Sequence, residues 1–189
     1  MNEQNSTIEQ AKIALKAGET ILFPTDTIWG IGCDATNEAA CQKIMDIKNR
    51  PAEKSFVVLV DGFQMIEKYI PEFAEVCYEL ADLSEKPLTI VYPDAQKFAP
   101  SVIAQDGSVG IRITKDPICL QLIRSLKAPI VATSANLSGE HFPTCFDDIH
   151  PTIKERVACV VTERMTEKCS TPSQIIKIDK DSSIKIIRS

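Results

Sequence analysis

The chain has 189 residues, a length that suits one domain, and 44% of its residues are hydrophobic while 25% are charged. Its 26 acidic and 21 basic residues give a net charge of −5, which argues against sequence-independent binding of nucleic acid by the whole surface. No apolar run approaches the roughly 18 residues that a membrane-spanning helix needs, and the N-terminus lacks the basic and apolar regions of a signal peptide. We therefore expect a single cytoplasmic domain over residues 1–189, without a membrane partner.

Helix and strand patterns alternate along the chain. The first helix is predicted where Ser6 and Glu9 have capping-box spacing and Ile8, Ala11 and Leu15 share one face, and Gly18 can end it. A later helix is predicted to begin with Asp116 as its cap. The continuous apolar run at 56–60 favours a central strand. In chain order we predict helix 6–17, strand 20–23, helix 37–48, strand 56–60, helix 71–83, strands 88–92 and 108–114, helix 116–127, strand 130–133, helix 146–155, strand 157–162 and a hairpin of 174–178 with 184–188. The alternation predicts a layered α/β domain, and the closing hairpin predicts a mixed sheet.

The cysteines and histidines do not form a recognisable framework. The seven cysteines are odd in number, none forms a C-x-x-C pair, and several lie in apolar patterns, where cysteine acts as a small buried hydrophobe. The two histidines are too few to build a metal cage. We therefore predict reduced thiols and no metal site built from cysteine or histidine. The cysteines are Cys33, Cys41, Cys77, Cys119, Cys145, Cys159 and Cys169.

Three polar segments carry the chemistry of the chain. Ala132 to Gly139 follows an apolar strand, and five of its eight residues are Thr, Ser, Asn or Gly, which suits a small polar ligand but also an ordinary polar turn. Phe23 to Gly32 adds hydroxyls, a carboxylate, an aromatic ring and two glycines that permit close backbone approach. Lys48 to Lys54 places three cations in seven residues at a predicted helix end, where cations also complement the helix dipole.

In this order, these segments resemble the YrdC-type threonylcarbamoyl-AMP synthase family. The family pattern combines a P-T-D/E-T-x-Y-G-L-G loop, a K-x-R-P helix end, a V-x-x-R strand, a T-S-A-N-x-S-G loop and a late P-S-T-I strand. The corresponding residues here are Pro24 to Gly32, Lys48 to Pro51, Val109 to Arg112, Thr133 to Gly139, and Pro172 to Ile175. The resemblance implies a twisted, open, mixed sheet flanked by helices, with ligands in a concave groove. Some relatives carry an additional C-terminal domain, and from the length of this chain we expect none here.

The resemblance also implies a reaction. Enzymes of this family are nucleotidyltransferases that join L-threonine, bicarbonate and ATP into threonylcarbamoyl-AMP and release pyrophosphate. A partner complex that modifies tRNA then receives the adenylate. We expect the same substrates here, with Mg²⁺ as a cofactor. Such chemistry depends on positioning and electrostatic stabilisation, so cations and hydroxyl or amide donors should line the groove.

Three cations have the most specific expected roles. Lys48 and Arg50 are predicted to bind the triphosphate, because they stand two residues apart at a helix end and both can turn into one groove. Arg112 lies on an apolar strand, where a buried guanidinium needs an anion. The resemblance makes that anion the threonine carboxylate, and a structural ion pair is the alternative.

The remaining site residues are assigned by their match to family positions. Lys54 is expected to be a solvated charge. Asp26 is a single carboxylate, which by itself does not define a magnesium site. The threonine-binding residues are Thr25, Arg112, Ser134 and Ser173; the ATP-binding residues are Lys48, Arg50, Ser108, Asn136, Thr144 and Arg188; and the catalytic set is Lys48, Arg50, Ser134 and Asn136.

The chain departs from the family pattern at several positions near the expected substrates. Trp29 replaces the usual tyrosine, so we expect an aromatic wall without a hydroxyl. Ser55 replaces a proline, and Asp61 stands where the next strand often ends in histidine. Glu85 to Thr89 replaces a P-G-P-x-T segment, and Gln174 replaces the threonine of the late strand. These departures concern amino-acid placement more than phosphate binding, and no general base is evident.

Two alternatives remain open from the sequence. One is a paralogue that keeps the nucleotide groove but acts on another substrate, which the departures motivate. The other is a non-catalytic RNA-binding module, since a basic concave groove could receive structured RNA. The acidic net charge argues that direct RNA binding would be weak.

Overall fold

Helices and strands alternate along the chain, as its periodicity predicts. The computed structural model describes residues 3–51, 55–168 and 171–189. The helices are α1 Glu3–Lys16, α2 Glu38–Lys48, α3 Phe63–Tyr69, α4 Val76–Leu83, α5 Pro117–Leu126 and α6 Pro151–Arg156. The strands are β1 Ile21–Phe23, β2 Gly30–Gly32, β3 Val57–Val60, β4 Leu88–Tyr92, β5 Val109–Ile113, β6 Ile130–Val131, β7 Thr133–Ser134, β8 Cys159–Val160, β9 Gln174–Ile178 and β10 Ile184–Arg188. Within the described ranges, none of the helices combines the length and apolarity that crossing a membrane requires.

These strands form two mixed sheets. The larger sheet has the order β10-β9-β4-β5-β3-β6, in which β4–β9 and β3–β5 are parallel and the other neighbours antiparallel. The smaller sheet has the order β7-β2-β1-β8, in which β1 and β8 are parallel and the other pairs antiparallel. The predicted open, mixed α/β fold is therefore confirmed. The predicted interior position of β3 is confirmed too, since a strand lies on each side of it.

Helices pack where their apolar faces predict. The stripe of Ile8, Ala11 and Leu15 on α1 is buried, and α1 contacts β1, β8 and α5. The predicted start of α5 is confirmed, because the Asp116 carboxylate accepts hydrogen bonds from the backbone N–H groups of Ile118 (2.9 Å) and Cys119 (3.1 Å). Since α5 also contacts β3, the helices α1 and α5 link the cores of the two sheets.

The six described cysteines are free thiols. Cys33, Cys41, Cys77 and Cys119 are buried, and Sγ of Cys33 lies 3.7 Å from Sγ of Cys41. Burial is the leading cause of the raised pKa of the Cys77 thiol, which is about 11. These side chains therefore pack as small hydrophobes, and Cys169 lies outside the described residues.

Several element boundaries differ from the predictions. α1 begins at Glu3, so Ser6 lies inside the helix instead of capping it. The helix predicted from residue 71 begins at Val76, and in the segment before it the ring of Phe73 packs edge-on against Tyr92. α3 was not predicted, since two helical turns give little periodic signal.

The C-terminal half shows two similar corrections. The helix predicted from residue 146 begins at Pro151, where the His150 ring accepts a hydrogen bond from the backbone N–H of Thr152 at 3.2 Å. The strand predicted at 157–162 shortens to β8. The predicted closing hairpin of β9 and β10 is confirmed.

The segment 130–135 crosses from one sheet to the other. β6 pairs with β3 at the edge of the larger sheet, and β7 pairs with β2 at the edge of the smaller one. Between them, the backbone N–H of Ala132 donates to the carbonyl of Val57 at 2.8 Å. The single strand predicted at 130–133 is therefore two short strands, because its backbone changes partners within one residue.

Gly32 permits the close approach on which this crossing depends. A Cβ atom at position 32 would lie 2.4 Å from the carbonyl oxygen of Val131 and 2.6 Å from the ring of Phe23. The backbone N–H of Val131 donates to the carbonyl of Cys33 at 2.9 Å, so these two backbone segments are held close together. The sequence-based expectation that a glycine here permits close backbone approach is confirmed for Gly32.

Replacing Gly32 by alanine should destabilise the fold by about 3 kcal/mol, the upper range for overpacking a core, because the new methyl group meets backbone. Gly62→Ala is the matched control, since no atom lies within 4 Å of a Cβ built there. Urea denaturation followed by circular dichroism measures both. Equal stability of the two variants would contradict this account of Gly32.

Candidate active site

A groove with a volume of about 420 Å³ lies on one face of the larger sheet. Its floor is formed by β3, β4, β5 and the start of β9, and its walls by the loop after β1, the crossing segment and β10. The lining residues are Thr25, Thr27, Ile28, Gly30, Arg50, Ser55, Phe56, Val57, Thr89, Val91, Ser108, Gly110, Arg112, Ala132, Thr133, Ser134, Phe142, Pro172, Ser173, Ile175, Ile187 and Arg188. Polar hydroxyls and apolar side chains therefore meet in one concave surface, as ligand sites require.

Three arginines supply the charge of this groove. Arg50, Arg112 and Arg188 line it, and no carboxylate among the described residues does so. Burial lowers the pKa of Arg50, and burial followed by the charge of Arg112 lowers the pKa of Arg188. A chain of net charge −5 thus concentrates positive charge in one cleft, which suits an anionic ligand.

Arg112 is the buried cation of the floor, with 4% of its surface exposed. Its Nη1 donates to the hydroxyl of Thr27 at 2.9 Å, and its Nη2 pairs with the carboxylate of Asp26 at 3.2 Å. Its Nε is buried without a hydrogen-bond partner among the described residues. The structural ion pair considered from the sequence is therefore present, and one buried donor of the same side chain still lacks an acceptor, which is energetically costly.

Hydroxyl groups fold the loop after β1 around this arginine. The Thr25 hydroxyl lies 2.9 Å from that of Thr27 and accepts from the backbone N–H groups of Thr27 (3.1 Å) and Ile28 (3.2 Å). It also donates to the carbonyl of Ile28 at 2.7 Å. The loop therefore presents two fixed hydroxyls beside Arg112.

A second hydroxyl pair lies near Arg188. The hydroxyls of Thr89 and Ser173 are 2.8 Å apart and buried. Arg188 donates from Nε to the carbonyl of Ser173 at 2.9 Å. The strand β10 thereby fixes its last arginine against the start of β9, although the residue lies one position from the end of the chain.

The end of α2 sends its two cations in different directions. Asn49 adopts a left-handed conformation with φ of 49° directly after Lys48. Arg50 then turns into the groove, donates to the carbonyl of Ser55 at 2.7 Å, and stacks on Phe56 with its guanidinium carbon 4.9 Å from the ring centroid. The expectation that both cations turn into one groove is therefore met by Arg50 alone of the two.

Lys48 lies beneath the groove wall, with 1% of its surface exposed. Its Nζ donates to the carbonyl of Asn136 at 2.5 Å and to that of Ser134. Burial, together with the nearby charge of Arg50, lowers the pKa of Lys48 from its ordinary 10.5 to about 7. In this structure the amine holds the polar loop and does not line the groove.

Of the other predicted loop residues, some line the groove and others hydrogen-bond within the surrounding loops. Ser134 lines the groove, whereas the Asn136 side chain donates to the carbonyls of Leu137 (2.9 Å) and Glu140 (2.8 Å). The Asn136 Oδ1 is buried and has no partner among the described residues. Thr144 is exposed and does not line the groove, because its hydroxyl donates to the carboxylate of Asp148 at 2.6 Å.

The expectation of an aromatic wall from Trp29 is wrong. Its side chain is fully buried, packs against Phe146 with ring centroids 5.1 Å apart, and does not line the groove. Phe56 and Phe142 supply the aromatic lining instead, and sequence reasoning missed both. Thr89 was also missed, although it ends a segment that the family resemblance had singled out. Lys54 lies outside the described residues.

The chain belongs to the Sua5/YciO/YrdC family, whose model, described as telomere recombination, matches residues 13–189. The threonylcarbamoyl-AMP synthase of Pseudoalteromonas translucida is 32% identical over 166 residues, which cover 86% of this chain and 88% of that relative.

Solved structures show the same similarity. A doubly substituted Sua5 from P. abyssi superposes with a TM-score of 0.88 at 26% identity, covering 99% of this chain and 57% of the Sua5 chain. P. abyssi Sua5 complexed with L-threonine superposes with a TM-score of 0.81 at 27% identity, covering 94% of this chain and 52% of that one. The chain thus spans about half the length of the Sua5 chains that it matches.

Replacing Lys48 by methionine should remove a pH dependence of stability. The folded pKa of about 7 lies below the ordinary 10.5, so the unfolded chain binds more protons between these values, and the free energy of unfolding rises with pH across that window. The stability of the unmodified protein relative to Lys48→Met should therefore increase from pH 7 to about pH 10 in urea denaturation.

Lys43→Met, on the same helix, is the control for this comparison, since its side chain is 43% exposed. A difference between the unmodified protein and Lys48→Met that stays constant over the pH range would mean that the loop carbonyls keep the amine charged.

Proposed function

We propose that this protein is a threonylcarbamoyl-AMP synthase. It would join L-threonine, bicarbonate and ATP into the adenylate, release pyrophosphate, and supply a complex that modifies tRNA. The observation that carries the proposal is the groove lined by three arginines, of which the buried Arg112 keeps one donor without an acceptor among the described residues. Relatives at about one-third identity bear this name, and a structural neighbour is described in complex with L-threonine.

The threonine end of the groove is proposed to lie at Arg112. A carboxylate there would accept from the guanidinium of Arg112, which lines the groove and has one donor, Nε, without a partner among the described residues. The neighbouring hydroxyls of Thr25 and Thr27, which are already fixed by the loop, border the same place. Ser134 and Ser173, proposed as further threonine contacts, line the groove as well.

The triphosphate is proposed to lie between Arg50 and Arg188. Both guanidinium groups have one edge fixed by a backbone carbonyl, that of Ser55 or Ser173. Such preorganised cations stabilise phosphate charge with little reorganisation. Lys48 and Asn136 would act on the nucleotide through the loop that they hold, and no described contact brings Thr144 to it.

Mg²⁺ is proposed to enter with the nucleotide. No carboxylate among the described residues lines the groove, and Asp26 is engaged by Arg112. The described parts of the chain also contain no cluster of three or more histidine, cysteine or acidic side chains that could hold a metal. This donor set fits an ion held by substrate phosphates, which is common for Mg²⁺.

The reaction then proceeds in two steps. The threonine amine attacks the carbon of bicarbonate and water leaves, which gives a carbamate. A carbamate oxygen attacks the α-phosphorus of ATP in line, and the bond to the pyrophosphate oxygen breaks. The groove would contribute by holding both reactants in place and by stabilising the charge that develops on phosphate.

The proposal is tested by incubating the protein with ATP, bicarbonate and single amino acids, with detection of pyrophosphate and of the adenylate mass. Product that requires both threonine and bicarbonate would support it. ATP binding without threonine-dependent product would support the divergent paralogue, and RNA binding without ATP binding would support the RNA-binding module.

Arg112→Lys should lower kcat/KM for threonine by about tenfold to a hundredfold, because lysine keeps the charge but loses the fork of charge-assisted donors. The KM for ATP should change little. Arg124→Lys is the matched control, since Arg124 is 65% exposed and lies 3.8 Å from Asp61. Equal effects of Arg112→Lys on both substrates would contradict a specific contact with threonine.

A further inference from the structure

The turn before β5 holds one groove hydroxyl in a single orientation. Asp106 Oδ1 accepts hydrogen bonds from the backbone N–H of Ser108 (3.0 Å) and from its hydroxyl (2.5 Å). The other carboxylate oxygen, Oδ2, accepts from Nζ of Lys177 at 2.8 Å. The turn is completed by Gly107, whose φ of 78° is left-handed. Three donors therefore converge on one carboxylate beside the groove.

The single hydrogen of the Ser108 hydroxyl is committed to this carboxylate. The hydrogen bond from Lys177, followed by that from Ser108, lowers the pKa of Asp106 to about 2, so Asp106 can only accept at neutral pH. Ser108 lines the groove and is 5% exposed. Toward a ligand, its oxygen therefore offers lone pairs and no donor.

An acceptor at this position discriminates between the parts of a nucleotide. Phosphate oxygens are acceptors, so a phosphate oxygen and the Ser108 oxygen would face each other with no hydrogen to share. The nucleoside part carries donors, namely the ribose hydroxyls and the amino group of adenine. Of the parts of ATP, the nucleoside is therefore the one that can donate to Ser108.

We propose that Asp106 is a positioning residue that makes Ser108 an acceptor-only contact for a donor on the nucleoside part of ATP. This inference rests on the proposed function. It places the nucleoside beside the start of β5 and leaves Arg50 and Arg188 for the phosphates. Asp106 itself does not line the groove, so it acts through Ser108.

The test is a comparison of nucleotide affinities by isothermal titration calorimetry. The ligands are ATP, inosine triphosphate, which has an acceptor in place of the base amine, and the 2′-deoxy and 3′-deoxy forms of ATP. The unmodified protein should bind one of these analogues about fivefold to tenfold more weakly than ATP, the scale of one hydrogen bond. That analogue identifies whether the base or the ribose supplies the donor.

Asp106→Ala frees the Ser108 hydroxyl to rotate, so the preference for ATP over that analogue should shrink to about twofold or less. Asp106→Asn keeps an acceptor for the hydroxyl and should restore the preference. In a Ser108→Ala background, Asp106→Ala should have no further effect. A merely structural role of Asp106 would weaken all ligands equally and leave their ratio unchanged.

Lys177→Met is the matched control, because it removes the ion pair and leaves the bond between Asp106 and Ser108. It should keep the discrimination of the unmodified protein. Equal discrimination in Asp106→Ala and the unmodified protein, or no discrimination in either, would overturn the inference. Failure of the unmodified protein to bind ATP would instead overturn the proposed function.

Discussion

The end of α2 is tied to the polar loop after β7 by a buried amine, and the shape of the groove depends on this tie. Lys48 donates to the carbonyls of Ser134 and Asn136, and the backbone N–H of Ser138 donates to the carbonyl of Lys48 at 2.9 Å. A buried lysine is tolerated when its donors are satisfied, so separating the two segments would leave polar groups unpaired in the interior. Because Asn49 turns the chain directly afterwards, the same tie sets the direction of Arg50.

The arginines of the groove differ in how their donors are used. Arg50 and Arg188 are each held by a backbone carbonyl, whereas Arg112 is held by a carboxylate and a hydroxyl. A neutral carbonyl orients a guanidinium without changing its charge, whereas the Asp26 carboxylate offsets much of the charge of Arg112. The groove therefore holds its cations in two ways, and all three are fixed in direction before a ligand binds.

Local chemistry predicted much of the fold. The cap at Asp116, the apolar stripe of α1 and the turn between β9 and β10 are short-range features, and the structure confirms them. β2 was missed because three residues of Gly-Ile-Gly give no periodic signal. The crossing at Ala132 was also missed, since a change of strand partner is decided by tertiary packing that the segment itself does not encode.

The sequence predicted which residues line the groove better than it predicted where their side chains point. Most positions matched from the family motifs do line the groove, because the loop after β1, the end of α2 and the crossing segment all border the face of β5 that carries Arg112. The direction of Arg50 depended on the left-handed Asn49, that of Lys48 on two loop carbonyls, and that of Trp29 on its contact with Phe146. The conformation around Thr144 depended on Asp148, four residues away. Backbone geometry of this kind leaves little trace in residue type.

The inward position of Trp29 gives the protein a built-in optical reporter. It is the one tryptophan of the chain, is fully buried, and its indole N–H has no partner among the described residues, so its fluorescence emission should lie at short wavelength. Its neighbours Ile28 and Gly30 line the groove. A change in loop conformation on binding is therefore transmitted through one peptide bond to the fluorophore, and occupancy of the groove can be followed without a label.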